Sequence, residues 1–418
     1  MPARRPAAGT ARQPLPQQWD SRGRNRRMQP QTRSARDFAY TVPRGRRQQG
    51  AWDRAADALR TVPPGMYVVL VCVLACIVFI PGAIAGARGS SADAGQESAQ
   101  AQAAEAKAKD AKAASDADEA KRSQADDFEL SAATFDDIPT SDGLVSYSLA
   151  GLDAPKVSSA HRASVESALA AIEEQGSVSM VFVDAQTGSG LAYQPDLVVY
   201  GASSFKALYS MYVCESLVEK GEVSLDDYCA VNWVADSSGG YSGGSYPVYE
   251  LIEAAVIYSN NNAYGALRDA FDFEGFDDWV TGLGANDAVY REDSWFPTYA
   301  ARSSARLWSE MLAYVGGGSE TAQWLWDLTG QTTVSFIRDG LEGLDAVVHN
   351  KAGWCSDSDP SYNSVSDAGV VDLDGRTYIM SIMTGMPDTE SNRALVGQLA
   401  RALADCCGDL VPSGSDDD

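Results

Sequence analysis

Histidine is nearly missing from this chain. His161 and His349 are the only two in 418 residues, so no His-rich metal site can be assembled, and a Ser-His-Asp triad would have to use one of them. Lysine is almost as rare in the second part of the chain: beyond position 127 there are only Lys156, Lys206, Lys220 and Lys351. Cysteine is sparse. Cys72 and Cys76 fall in an apolar run, and the remaining Cys214, Cys229, Cys355, Cys406 and Cys407 allow at most two bridges, whose pairing the sequence leaves open. Apolar runs long enough to span a bilayer are absent with one exception, residues 66–87 (MYVVLVCVLACIVFIPGAIAGA). No cofactor is expected.

That exception divides the chain. Residues 1–65 carry 14 arginines against four aspartates, a surplus of ten, so the net charge of −24 leaves −34 for the rest. The Arg-, Gln-, Pro- and Gly-rich leader cannot bury a core and is expected to be disordered. Residues 66–87 have the length needed to cross a hydrocarbon core about 30 Å thick. An Arg-rich flank before them belongs in the cytoplasm, which puts everything after Arg88 outside the cell membrane. A cleaved signal peptide is the competing reading, but a leader of this length is too long for one. Residues 88–138, rich in Ala, Lys, Asp, Glu and Gln, read as a partly helical stalk. Residues 412–418 are an acidic tail. The acidic outer part argues against nucleic acid as a partner, because phosphate binding needs clustered Lys and Arg. A small-molecule substrate and the membrane remain.

Residues 139–411 are enough for a sizeable core. Helical spacing covers 158–175; period-two patterning covers 177–185 and 190–193, a hairpin across Gln186-Thr187-Gly188-Ser189. Helical patterns come next at 249–258, 262–271, 276–283 and 300–315, strands return at 367–372 and 377–384, and 390–406 closes as a helix. This order predicts an α/β (α+β) fold: an antiparallel sheet formed by both ends of the domain, with an all-helical lobe inserted between them.

Residues 200–214 (YGASSFKALYSMYVC) place Ser203 and Lys206 three apart at the head of a nearly all-apolar run. Gly201 and Ala202 mark a turn into a buried helix. Residues i and i+3 share a helix face, so the Lys206 amine stands one turn above the Ser203 hydroxyl. Desolvation disfavours the charged amine, and a neutral lysine can take a proton from serine. Taken alone, the pair is also what a capping serine and an unrelated lysine would give.

Two further elements change that weight. Ser259-Asn260-Asn261 lies in AVIYSNNNA, and Lys351-Ala352-Gly353 comes directly after His349-Asn350. The set S-x-x-K, S-x-N and K-x-G, in this order, resembles the penicillin-recognising serine hydrolases, most closely class A β-lactamases. The resemblance extends over residues 158–406. It implies a β-lactamase/transpeptidase-like fold, Ser203 as nucleophile, Lys206 as base, and Ser259 as proton donor to the leaving nitrogen. It also implies Asn261 on the substrate amide, Lys351 facing a substrate carboxylate, Gly353 as a point of close approach, and an oxyanion hole from the backbone N–H groups of Ser203 and Trp354. The substrate class implied is a β-lactam or a D-Ala-D-Ala-type peptide.

Two positions depart from the family pattern. Ala352 replaces a Thr or Ser, removing a hydroxyl from the carboxylate site. The E-x-x-L-N loop that supplies a deacylating Glu has no counterpart in residues 290–299 (YREDSWFPTY), where Glu292 and Asp293 are the nearest candidates, Glu292 being the possible deacylation base. The chain therefore reads as a membrane-anchored serine β-lactamase-type hydrolase. A D,D-peptidase or penicillin-binding protein acting on peptidoglycan stem peptides, and a non-catalytic wall-binding module, are the alternatives. The Gly/Ser stretch 236–246 is either a connector or a cleft rim bearing Tyr241 and Tyr246.

Overall fold

The computed structural model describes residues 128–411 apart from 233, 236–238 and 290–294. The apolar run 66–87, the stalk up to 127, Glu292 and the acidic tail lie outside the described residues. Among the described residues, no helix is long and apolar enough to cross a membrane.

A 3-10 helix, Ala132–Asp137, precedes β1 (Val145–Ser148) and α1 (Ser159–Glu173). Residues 132–138, which composition assigns to the stalk, are part of the folded body. Phe135 and Ile138 are buried, and the Phe135 carbonyl accepts from Arg302 Nη1 at 2.6 Å. Helix α1 starts where the Ser158 hydroxyl accepts from the His161 N–H. Strands β2 (Val178–Asp184) and β3 (Ser189–Tyr193) form the expected hairpin. Its turn is closed by the Asp184 carboxylate, which accepts from the N–H groups of Gln186 and Thr187, an Asx turn.

Strand β4 (Val199–Tyr200) enters a 3-10 turn, Ala202–Phe205, succeeded by α2 (Lys206–Tyr212) and a π-helical turn, Val213–Val218. The helical lobe continues through β5 (Tyr228–Ala230), β6 (Ser245–Pro247), α3 (Val248–Ile257), α4 (Asn261–Phe271) and α5 (Phe276–Gly282). Strand β7 (Thr298–Tyr299), α6 (Ala301–Gly316), α7 (Glu320–Gly330) and α8 (Phe336–Gly340) complete it. The chain then returns to the sheet as β8 (Ala346–Cys355), β9 (Ser364–Leu373) and β10 (Arg376–Thr384), and ends in α9 (Glu390–Ala404) and a short turn of helix, Cys407–Leu410.

The main sheet runs β1-β3-β2-β10-β9-β8, antiparallel throughout. Three strands come from before the lobe and three from after it, joined along β2 and β10. This is the expected β-lactamase/transpeptidase-like architecture. Alternation along β2 divides the core. Val181 and Val183 face the helical lobe, whereas Met180 and Phe182 face α1 and α9. Each such side chain, fully buried, contributes about 1.5–3 kcal/mol.

The main departure from the sequence reading is β8. Ten residues of strand form there, although His349, Asn350 and Lys351 interrupt the apolar alternation. Pairing with β9 fixes them, with Lys351 opposite Ala368 and Gly353 opposite Ser366. The five described cysteines, Cys214, Cys229, Cys355, Cys406 and Cys407, are all buried free thiols.

Candidate active site

The serine turn is held under strain. Ala202 has φ +45, a left-handed conformation costing a residue with a Cβ about 1–2 kcal/mol. The turn is pinned by its neighbours: the Ser204 hydroxyl donates to the Gly201 carbonyl at 2.6 Å and lies 2.7 Å from Tyr299 Oη. Ser203 has no exposed surface. Strand β8 lies directly against this turn, and a Cβ on Gly353 would stand 2.4 Å from the Gly201 oxygen and the Ser204 nitrogen and 2.9 Å from the Ser203 nitrogen. Only glycine permits that approach.

Lys206 opens α2 and is fully buried. Its amine donates to the Ser259 carbonyl at 2.5 Å and to Asn261 Oδ1 at 2.6 Å, and lies 3.3 Å from Ser259 Oγ. Burial, and secondarily the Lys351 cation, hold its pKa well below the ordinary lysine range. Ser259 sits at φ +57 between α3 and α4. Asn260 caps α4 by accepting from the Ala263 N–H at 2.9 Å. Asn261 is therefore the first residue of a helix, aimed back at Lys206.

Lys351 approaches the same hydroxyl from the sheet. Its amine lies 3.2 Å from Ser259 Oγ and donates to the Ala352 carbonyl at 2.9 Å. At 1 % exposure it is no surface charge. Burial pushes its pKa down to about 7, with the Asp367 carboxylate acting in the opposite direction. Asp367, opposite Ala352 in the sheet, is itself pushed up to about 6 by burial. It accepts from the Ile337 N–H (3.0 Å), Ser335 Oγ (3.3 Å) and Asn350 Nδ2 (2.6 Å).

Trp354, farther along β8, has two cations near its ring. Lys351 Nζ is 5.6 Å and the Arg393 guanidinium 5.4 Å from its centroid. Arg393 is committed to a bidentate pair with Asp388 at 2.6 and 2.7 Å.

The structure thus brings together Ser203, Lys206, Ser259, Asn261, Lys351 and Gly353, with Trp354 at the edge. His349 does not line the cleft. Its ring stacks on Trp326 at 3.8 Å, and Nδ1 lies 3.0 Å from the Trp326 carbonyl. His161 pairs with Asp409 at 2.7 Å, far along the chain from the motifs. The Gly/Ser stretch is attached to the serine-asparagine turn: Asn260 and Asn262 donate to the Gly239 and Gly240 carbonyls at 2.5 and 2.9 Å. Tyr241 and Tyr246 meet edge to face, and Tyr241 Oη donates to Glu250 at 3.1 Å.

Sequence reasoning missed Asp367 and Phe296. The first carries no motif; the second stood in residues 290–299 with nothing to single it out. The Phe296 ring centroid is 5.6 Å from Lys206 Nζ.

A sequence model described as the Beta-lactamase enzyme family matches residues 163–406, more than half of the chain and all of the residues just assembled. Beta-lactamase ROB-1 of Haemophilus influenzae is 34% identical over 118 residues, 27% of this chain and 39% of that protein. The chain therefore spans about two fifths of the length of the ROB-1 relative. A beta-lactamase of Streptomyces fradiae is 27% identical over 255 residues, 54% of this chain and 80% of the other. Among solved structures, a beta-lactamase from Chitinophaga pinensis DSM 2588 superposes with a TM-score of 0.51 at 20% identity, over 59% of this chain and 98% of that one, a likeness of fold. With the family match covering the sheet, the lobe and all three motif elements, the chain belongs to the beta-lactamase enzyme family.

Proposed function

We propose that this protein is a serine acyl-transfer hydrolase that opens β-lactam amides through an acyl-enzyme on Ser203. The observation that carries the reading is the double approach to Ser259 Oγ, 3.3 Å from Lys206 Nζ and 3.2 Å from Lys351 Nζ, beside the turn that holds Ser203. In the proposed reaction Lys206, whose pKa burial holds well below the ordinary lysine range, takes the Ser203 proton as Oγ bonds to the substrate carbonyl carbon. The Ser203 and Trp354 N–H groups receive the developing oxyanion, a role whose loss typically costs about 10²- to 10³-fold. The C–N bond then breaks, and the proton passes through Ser259 to the leaving nitrogen. Asn261 orients the substrate's side-chain amide, and Lys351 meets its carboxylate. The apolar run 66–87 would anchor this domain to the outer face of the cell membrane.

A second reading is a D,D-peptidase or penicillin-binding protein acting on stem peptides. The lack of an E-x-x-L-N pattern in residues 290–299 favours it, because an acyl-enzyme without a deacylating base persists. Both readings share the Ser203 acyl-enzyme and differ in the fate of that ester.

The test is intact-mass spectrometry of the purified full-length chain after exposure to benzylpenicillin. A single adduct mapping to Ser203, and absent in a folded Ser203→Ala variant, is expected. Labelling that survives in Ser203→Ala would sink the assignment.

A further inference from the structure

Among the described residues, the polar partners of the Lys206 amine come from Ser259 and Asn261. These accept its hydrogen bonds, while the rings of Phe296 and Tyr264 face it at 5.6 and 5.7 Å. Phe296 is 8% exposed, set against Tyr264 at 5.3 Å and edge-on to Tyr200 at 6.4 Å. Its position is dictated by the residues on either side. The Trp295 carbonyl accepts from Tyr264 Oη at 3.0 Å and from the Arg268 guanidinium. The Trp295 ring lies flush on α4 at Gly265, where a Cβ would come within 2.1 Å of it. The Pro297 carbonyl accepts the Gly201 N–H at 3.0 Å, tying the same segment to the serine turn. Residues 295–297 thus bridge α4 and the turn bearing Ser203, and what they present beside the lysine is an apolar ring.

We propose that Phe296 is a specificity-determining residue whose ring withholds water from the ester formed at Ser203, so that the acyl-enzyme outlives the step that makes it. This inference rests on the Ser203 reading. Acylation needs no water: Ser203 Oγ bonds to the carbonyl carbon, the C–N bond breaks, and the hydroxyl proton ends on the leaving nitrogen. Hydrolysis needs a water oxygen to bond to the same carbon, the Ser203 C–O bond to break, and a proton from that water to return to Oγ. A water held for this requires two to four polar partners and a base. On the Phe296 side neither is offered by the described residues. The Phe296 ring has no hydrogen-bonding group, and the Tyr264 hydroxyl has already given its proton to the Trp295 carbonyl and accepts from Arg268 Nη1 at 2.8 Å, so it has no proton left to donate to a water. A water placed there would incur the cost of an unsatisfied polar group.

The experiment uses the full-length chain, labelled with benzylpenicillin, freed of excess drug and monitored by intact mass. In the wild type the adduct should persist for hours. Phe296→Gln, which replaces the ring with a polar group, and Phe296→Ala, which opens space, should still form the adduct and, once it is formed, lose it about tenfold faster or more. Phe296→Leu, still apolar, should keep the long lifetime. A merely structural role would not separate Gln from Leu. Melting curves identify any variant that fails to fold, and if Ala is lost the Gln and Leu pair still decides.

The proposal is overturned if the wild-type adduct is released with turnover, if Gln and Leu share the wild-type lifetime, or if Glu292→Gln lengthens that lifetime, since water would then already be activated. A wild type that forms no adduct overturns the Ser203 reading itself, and this inference with it.

Discussion

Two lysines reach one serine hydroxyl from opposite sides, and what lies behind each is different. Lys206 comes from the helical lobe and Lys351 from the sheet, both buried and within 3.3 Å of Ser259 Oγ. Behind Lys206 stand aromatic rings, and the charge that acts on it among the described residues is the repelling cation of Lys351. Behind Lys351 lies the buried carboxylate of Asp367, which partly offsets the cost of burial. Desolvation penalises both ammonium groups, but the counter-charge stands behind Lys351. The same side chain is thereby sorted into two roles: a base whose pKa burial and a neighbouring cation hold well below the ordinary lysine range, and a cation that remains available to an anionic substrate up to near neutrality.

The largest effect should come from removing the first role. In Lys206→Arg the guanidinium keeps its proton at any accessible pH, so acylation by benzylpenicillin should fall by about 10²- to 10⁴-fold, the usual worth of a positioned base. The second-order rate of adduct formation reads it directly. A loss of less than tenfold would mean that Lys206 is not the base, and the contrast between the two lysines would collapse.

Only part of this contrast is legible without the fold. The S-x-x-K pair and its helical spacing are readable because both residues lie on one local element, and the rarity of lysine draws attention to them. The split sheet is readable from the order of period-two and period-3.6 segments. Strand β8 is not, since His349, Asn350 and Lys351 are successive polar residues in a strand, the last two buried, held by pairing with β9 and by Asp367 rather than by propensity. Asp367 itself has no signature in the sequence. Its importance comes from facing Ala352 across a strand pair, a long-range contact with no local pattern. Phe296 is unreadable for the same reason, since its effect depends on Trp295 being docked at Gly265, on a helix earlier in the chain.

A smaller effect concerns Lys351 and has a sign that can be worked out. Its pKa near 7 means that the cation is lost as pH rises through that value. Acylation by a carboxylate-bearing β-lactam, measured as a second-order rate and hence reporting the free enzyme, should decline above about pH 7, approaching tenfold per pH unit. Lys351→Arg keeps its charge and should flatten that limb while lowering the plateau, because the fork of arginine does not fit a site built for a compact ammonium. An unchanged limb in Lys351→Arg would assign it to another group. The depressed pKa also affects folding. The unfolded chain binds the proton between about pH 7 and the ordinary lysine value, so this residue makes the fold more stable as pH rises from about 7 towards about 9. Above that range the buried thiols of Cys229 and Cys355, each pushed up to about 11, act in the opposite sense.

The smallest effect should come from Asp367→Asn, which keeps the shape and an acceptor oxygen for the Ile337 N–H while removing the charge. Without the carboxylate nothing offsets the burial of Lys351, and the alkaline limb should move to lower pH by about one unit or less. Acylation at about pH 6.5 should change only a few-fold. Stability should respond separately. Because burial raises Asp367 to about 6, the native protein holds this proton more tightly than the unfolded chain, a contribution present below about pH 4 and lost as pH rises through about 6. The Asn variant cannot titrate and should lack that decline in thermal melts between about pH 4 and 7. If the melts change as expected but the limb stays where it was, Asp367 holds up the strand without tuning Lys351. The difference between the two lysines would then reside in their distance from solvent alone.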